Sequence, residues 1–106
     1  MSNIIMALDQ GTTSSRTILY NERGETLAMA NEEFSCQFPK SGWVEQEAED
    51  IWRTQKNTME AALKKAGLTM GDVDAIGITN QRETVIAWNA ETGAAVGKAI
   101  VWQCRR

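Results

Sequence analysis

Asp9-Gln10-Gly11-Thr12-Thr13-Ser14-Ser15-Arg16 sets a carboxylate, a glycine, four consecutive hydroxyls and a guanidinium side by side. Apolar runs flank it, residues 4–8 before and 18–20 after, so the segment reads as strand, tight turn, strand. Reversing a chain needs only a glycine and an Asn or Asp. The surplus of polar groups suits a phosphate cradle: amides freed by Gly11, hydroxyls as donors, and Asp9 placed to hold a hydrated magnesium ion. It is not a Walker A loop, because the Gly-x4-Gly-Lys-Ser/Thr spacing is absent and a strand, not a helix, follows. A Ser/Thr-rich hairpin without a ligand accounts for the same residues and stays open.

A second polar cluster, Asn80-Gln81-Arg82-Glu83, directly follows an apolar run. In open α/β sheets ligands bind beyond the carboxyl ends of strands. Arg82 beside Glu83 offers a rigid donor fork and an acceptor, which is what polyol hydroxyls require, since each both gives and receives a hydrogen bond. A surface loop with a locally paired Arg and Glu is the alternative.

The elements that must position these clusters follow from periodicity. Residues 4–8, 16–20 and 26–34 read as an antiparallel meander, with a turn at 21–24 in which Gly24 takes positive φ. Residues 36–45 look irregular and contain the only proline, Pro39; Trp43 is either a packing anchor or part of a ligand wall. From 47 to 66 the period becomes helical. Trp52, Met59, Leu63 and Ala66, helped by Ile51 and Ala62, share one face. Glu47, Glu49 and Asp50 at its start and Lys64 and Lys65 at its end match the helix dipole, and Gly67 stops it. Helix-end charge, not a metal site, explains that acidic cluster. Residues 72–79 read as a buried central strand reached by a crossover, 84–88 as another strand, 89–93 as a turn and 99–102 as a last strand. Ending so soon after a strand, with Trp102-Gln103-Cys104-Arg105-Arg106, reads as truncation.

Bulk properties bound the rest. The 106 residues amount to one domain or less, 42% hydrophobic and 24% charged, an ordinary globular composition. A net charge of −3 argues against a nucleic-acid surface. No apolar run approaches the ~20 residues of a membrane span, and the opening residues lack the pattern of a secretory signal. Cys36 and Cys104 lie far apart and there is no histidine, so reduced thiols are expected, not a zinc site or a disulfide framework.

The first loop resembles the phosphate loop of sugar and polyol kinases in the actin/hexokinase/Hsp70-like ATPase superfamily. Gly42-Trp43-Val44-Glu45-Gln46, Ile78-Thr79-Asn80-Gln81-Arg82-Glu83-Thr84 and Ala99-Ile100-Val101-Trp102-Gln103-Cys104-Arg105-Arg106 narrow the likeness to the glycerol-phosphorylating branch of the FGGY carbohydrate kinases. The resemblance covers the whole chain but only the opening of such an enzyme. It implies an α/β, ribonuclease H-like mixed sheet with a three-strand antiparallel meander and a crossover helix, truncated. Residues 1–106 would be the opening part of the N-terminal actin-like domain.

The resemblance further implies that Thr12, Thr13, Ser14 and Arg16 contact the nucleotide or the transferred phosphate, and that Asp9 holds Mg²⁺ through water. Arg82 and Glu83 would bind glycerol hydroxyls, and Trp102 would wall the glycerol carbons. The cofactors implied are ATP and Mg²⁺. The full-length parent would be a cytoplasmic homo-oligomer of glycerol uptake and catabolism, without membrane span or nucleic-acid partner. The catalytic base, an aspartate, belongs beyond Arg106, so no catalytic residue lies in this chain and the fragment alone is expected to be inert. The rival readings are a pentulose or gluconate kinase of the same family, a non-enzymatic actin- or Hsp70-like protein, and an interaction module using an open sheet edge.

Overall fold

The computed structural model describes residues 3–80, 86, 90–95 and 97–100. The meander is present as β1 (Ile5–Gln10), β2 (Ser14–Tyr20) and β3 (Thr26–Glu33). A short β4 (Glu45–Gln46) precedes α1 (Ala48–Ala66), which crosses one face of the meander. After a single 3-10 turn at Met70–Asp72, β5 (Ala75–Thr79) returns parallel to β1, giving a sheet of order β3-β2-β1-β5. Ala99–Ile100 forms β6, which pairs antiparallel with β4 in a separate two-stranded ribbon.

The first two strands run further than apolar content suggests. Their ladder continues through Asp9↔Arg16 to Gln10↔Ser15, leaving only residues 11–13 as the turn. Polar side chains do not end a strand when alternation gives each a face it can occupy. The second turn is held by its own Asn21, whose Oδ1 accepts from the amides of Arg23 and Glu25 at 2.9 and 3.0 Å, while Gly24 sits at φ 77°.

α1 ends as expected. Gly67 takes the left-handed conformation, its amide bonds to the Lys64 carbonyl, and the Leu68 amide reaches back to Leu63. Its buried face departs from expectation. Ala62 and Leu63 are buried and Met59 and Ala66 pack on the core, but Trp52 is 59% exposed. Thr54, Gln55 and Thr58 are buried in its place. The reason lies in β2, which presents Ser15 and Thr17 to the helix. Ser15 Oγ meets Thr54 Oγ1 at 2.7 Å, Thr17 Oγ1 meets Thr58 Oγ1 at 2.9 Å, and Gln55 Nε2 donates to the Arg16 carbonyl at 3.0 Å. Buried hydroxyls need partners, so helix positions carrying hydroxyls and an amide turn inward ahead of the larger apolar Trp52. Beside this seam lies an apolar core of Ile4, Met6, Leu19, Ala30, Ala62 and Leu63.

β5 takes its expected place but not its expected burial. All five residues are exposed, Ile78 by 74%. Register puts Ile76 and Ile78 on the helix-side face with Met6 and Leu8, but α1 packs chiefly over β2 and β3 and leaves them exposed. The strand expected at 84–88 lies outside the described residues, except for Ile86, which is not in a strand.

The hydroxyl seam yields a stability prediction. Thr58→Val removes a buried partner from Thr17 and Gln55 and should destabilise the fold by about 1–2 kcal/mol. The double variant Thr17→Val/Thr58→Val should cost less than the sum of the two single changes, because it removes both ends of one hydrogen bond. A double-mutant cycle by urea denaturation reads this out; strict additivity would mean that the two hydroxyls do not interact.

Candidate functional site

Paired residues on neighbouring strands share a face, so register alone assembles a row of polar groups. Asp9 of β1 lies opposite Arg16 of β2 and beside Thr79 of β5, and Arg16 lies opposite Asn31 of β3. Thr79, Asp9, Arg16 and Asn31 thus cross the sheet in one line, at the carboxyl ends of the parallel strands β1 and β5. That is where α/β sheets receive ligands. Asp9 is half-buried and Arg16 exposed. Neither side chain carries a hydrogen bond or ion pair to another described residue. Sequence reading named Asp9 and Arg16 but missed Thr79 and Asn31 as members of the row. Alternation through residues 75–79 would have put Thr79 level with the loop.

The turn itself is organised by its carbonyl groups. The Gly11 carbonyl accepts from Gln10 Nε2 at 3.4 Å, that of Thr12 from Gln46 Nε2 at 2.5 Å, and that of Thr13 from the Phe34 amide at 3.0 Å. The Ser14 carbonyl accepts from the Gly11 amide at 3.0 Å. Four successive carbonyl oxygens are therefore bound to protein donors. An anion-binding loop needs this arrangement, since a carbonyl facing the ligand would repel it. Gly11 also has a steric role: a Cβ there would lie 3.2 Å from the Ser14 carbonyl oxygen.

The four hydroxyls divide. Thr13 is exposed, and Thr12 and Ser14 are half-buried. Ser15 points to the opposite face, fully buried, bonded to Gln10 Oε1 at 2.9 Å and to Thr54. Its place in the cradle is corrected: it supports the loop from beneath. Arg82, Glu83 and Trp102 lie outside the described residues.

The donor set fits a magnesium ion. Mg²⁺ takes one or two carboxylates and fills its remaining positions with water and substrate phosphate oxygens. Asp9, a half-buried carboxylate without a described partner at the edge of the cradle, matches that demand. Among the described residues no group of three His, Cys, Asp or Glu gathers into an all-protein metal cage. At the start of α1, Asp50 pairs with Arg53 at 2.7 Å, and Glu47 faces Lys98 at 3.6 Å.

Known proteins resemble this chain along its whole length. The family of carbohydrate kinases termed FGGY, in its N-terminal domain, matches residues 4–106. A glycerol kinase of Agathobacter rectalis is 56% identical over all 106 residues, which span 21% of that relative. Among solved structures, Plasmodium falciparum glycerol kinase with ADP superposes with a TM-score of 0.88 at 36% identity, over 99% of this chain and 21% of that one. A xylulose kinase of Rhodospirillum rubrum reaches 0.86 at 23% identity over 98% of this chain and 21% of its own, a likeness of fold. The architecture is therefore the actin/hexokinase-like ATPase fold, as the resemblance implied.

The turn geometry predicts the effect of filling Gly11. Gly11→Ala should destabilise the fold by about 1–2 kcal/mol, because the new methyl group presses on the carbonyl that closes the turn. Denaturant midpoints measure the loss. Faster hydrogen exchange confined to the amide of residue 11 would locate it in the turn.

Proposed function

The chain belongs to the FGGY family of carbohydrate kinases, and on that footing we propose that it opens the N-terminal actin-like domain of a kinase that phosphorylates glycerol with ATP. The chain spans 21% of the length of the relatives it matches, so this reading concerns the full-length protein. One observation carries it: identity is 56% to a glycerol kinase over the whole chain, but only 20–23% to xylulose and gluconate kinases of the same fold.

In this reading the amides of the loop, with the hydroxyls of Thr12, Thr13 and Ser14 and the Arg16 guanidinium, grip the β- and γ-phosphates. Asp9 holds Mg²⁺ through water, and the ion, when bound, neutralises charge on the phosphate oxygens. Arg82 and Glu83 orient the acceptor by donating to and accepting from its hydroxyls, and Trp102 excludes water along its carbons. The primary hydroxyl of glycerol attacks the γ-phosphate in line, giving sn-glycerol 3-phosphate and ADP. The base that accepts the hydroxyl proton lies beyond Arg106, so the 106 residues alone turn over nothing. The full-length enzyme works in the cytoplasm, as a homo-oligomer, in glycerol uptake and catabolism.

ADP release by the full-length protein, with glycerol, xylulose, gluconate or no acceptor, tests the assignment. Stimulation by glycerol alone is expected; stimulation by a sugar instead would keep the loop and discard the acceptor. Arg82→Ala should raise KM for glycerol at least about tenfold, since it removes a charged donor from a buried hydroxyl. Asp9→Asn should lower kcat by roughly a hundredfold and leave KM for glycerol nearly unchanged. Steady-state kinetics with each substrate varied in turn separates the two effects.

A further inference from the structure

Gln46 sits on β4, in the ribbon and not in the main sheet, and none of its surface is exposed. Its side-chain Nε2 donates to two acceptors, the Thr12 carbonyl in the loop and Cys36 Sγ at 3.1 Å. An amide NH₂ has two hydrogens to give, so two acceptors at that end account for both and define which way the amide is turned.

The backbone of β4 is braced on both sides. Glu45 exchanges backbone hydrogen bonds with Gln37, at 2.6 and 2.9 Å, and β4 pairs with Ile100 and Ala99 of β6. Val44 beside it is buried, and Gly42 turns the chain into the strand at φ 80°. The stretch Gly42–Gln46 and the first two residues of the stretch 99–106, both of which carry the family resemblance, therefore meet in a frame that presents one amide to the loop.

What that contact accomplishes follows from the peptide plane. The Thr12 carbonyl and the Thr13 amide belong to one planar trans unit and point in opposite directions. Holding the carbonyl on Gln46 turns the Thr13 amide away from β4, and Thr13 is the exposed residue of the turn. The carbonyls of Gly11, Thr13 and Ser14 are held by donors within or at the end of the meander itself. Among these four bonds, that of Thr12 alone comes from the second sheet.

We propose that Gln46 is a positioning residue of the phosphate loop: it fixes the Thr12–Thr13 peptide so that its amide donates to a nucleotide phosphate, without touching the nucleotide. Acting through that peptide, Gln46 bears on phosphate affinity and not on the acceptor. This rests on reading the loop as the phosphate cradle of a kinase.

The test uses the full-length kinase, with Mg²⁺·ADP affinity measured by calorimetry and KM measured for ATP and for glycerol. Gln46→Met keeps length but has no donor; Gln46→Glu keeps shape and sets an acceptor against a carbonyl. Both should weaken Mg²⁺·ADP binding and raise KM for ATP by roughly tenfold, the scale of one orienting hydrogen bond, with KM for glycerol within about twofold of wild type. Gln46→His, which restores an N–H, should recover most of the affinity. Leu63→Val, which loosens the apolar core beside the helix seam and touches neither seam nor loop, should lower stability and leave nucleotide affinity unchanged. Wild-type affinity in either the Met or the Glu variant overturns the proposal, as does an equal loss for ATP and glycerol or an equal loss in Leu63→Val. A wild-type enzyme that binds nucleotide but ignores glycerol discards the acceptor assignment alone, and ADP affinity still judges Gln46. A wild-type enzyme that binds no nucleotide discards both.

Discussion

Strand β2 is clamped from below, and the site above depends on that clamp. Ser15 and Thr17 are bound to Thr54 and Thr58 of α1, with Gln55 bridging to the Arg16 carbonyl and to Thr17. Side chains alternate along a strand, so holding 15 and 17 against the helix leaves 14 and 16 on the opposite face. A slip of one residue would bury the Arg16 guanidinium and expose Ser15 and Thr17. A purely apolar interface could slide along similar side chains. Paired hydroxyls lose their partners when they slide, and each unpaired buried group costs about 1–3 kcal/mol.

The same logic holds one level up. The loop joins β1 to β2, but its conformation is set by donors from three places: its own residues, the end of β3, and Gln46 in the ribbon. The large sheet supplies the row Thr79, Asp9, Arg16 and Asn31, and the ribbon steadies the loop beside that row. β5 closes one side of the row with little burial, and Ile76 and Ile78 give a further layer of structure an apolar surface to pack on.

Much of this was legible in advance. Apolar runs separated by polar turns located the three meander strands, and a 3.6-residue period with matched end charges located α1 to within one residue. Asp9, Thr12, Thr13, Ser14 and Arg16 stood out because a plain turn does not need them. Three features were not legible. Trp52 looked like the helix's inner anchor, but the partner strand offered hydroxyls, and helix rotation follows the partner surface. Residues 75–79 looked buried because they are apolar, whereas burial depends on what lies above them. β4 was invisible because two residues carry no period, and its partner β6 lies more than fifty positions away.

The sequence by itself determined the local grammar: which segments extend, which coils, where Gly24 and Gly67 turn or stop the chain, and where polar side chains gather. Those properties depend on neighbours within a few residues, and so can be read along the chain. Only the tertiary structure decided that Asp9 and Arg16 share a face with Thr79 and Asn31, that Ser15 leaves the loop's company for the helix, and that Gln46 holds a carbonyl thirty-four residues before it. Each of those outcomes requires two distant segments to meet in one register. Register is a property of the pair, and neither segment carries it alone.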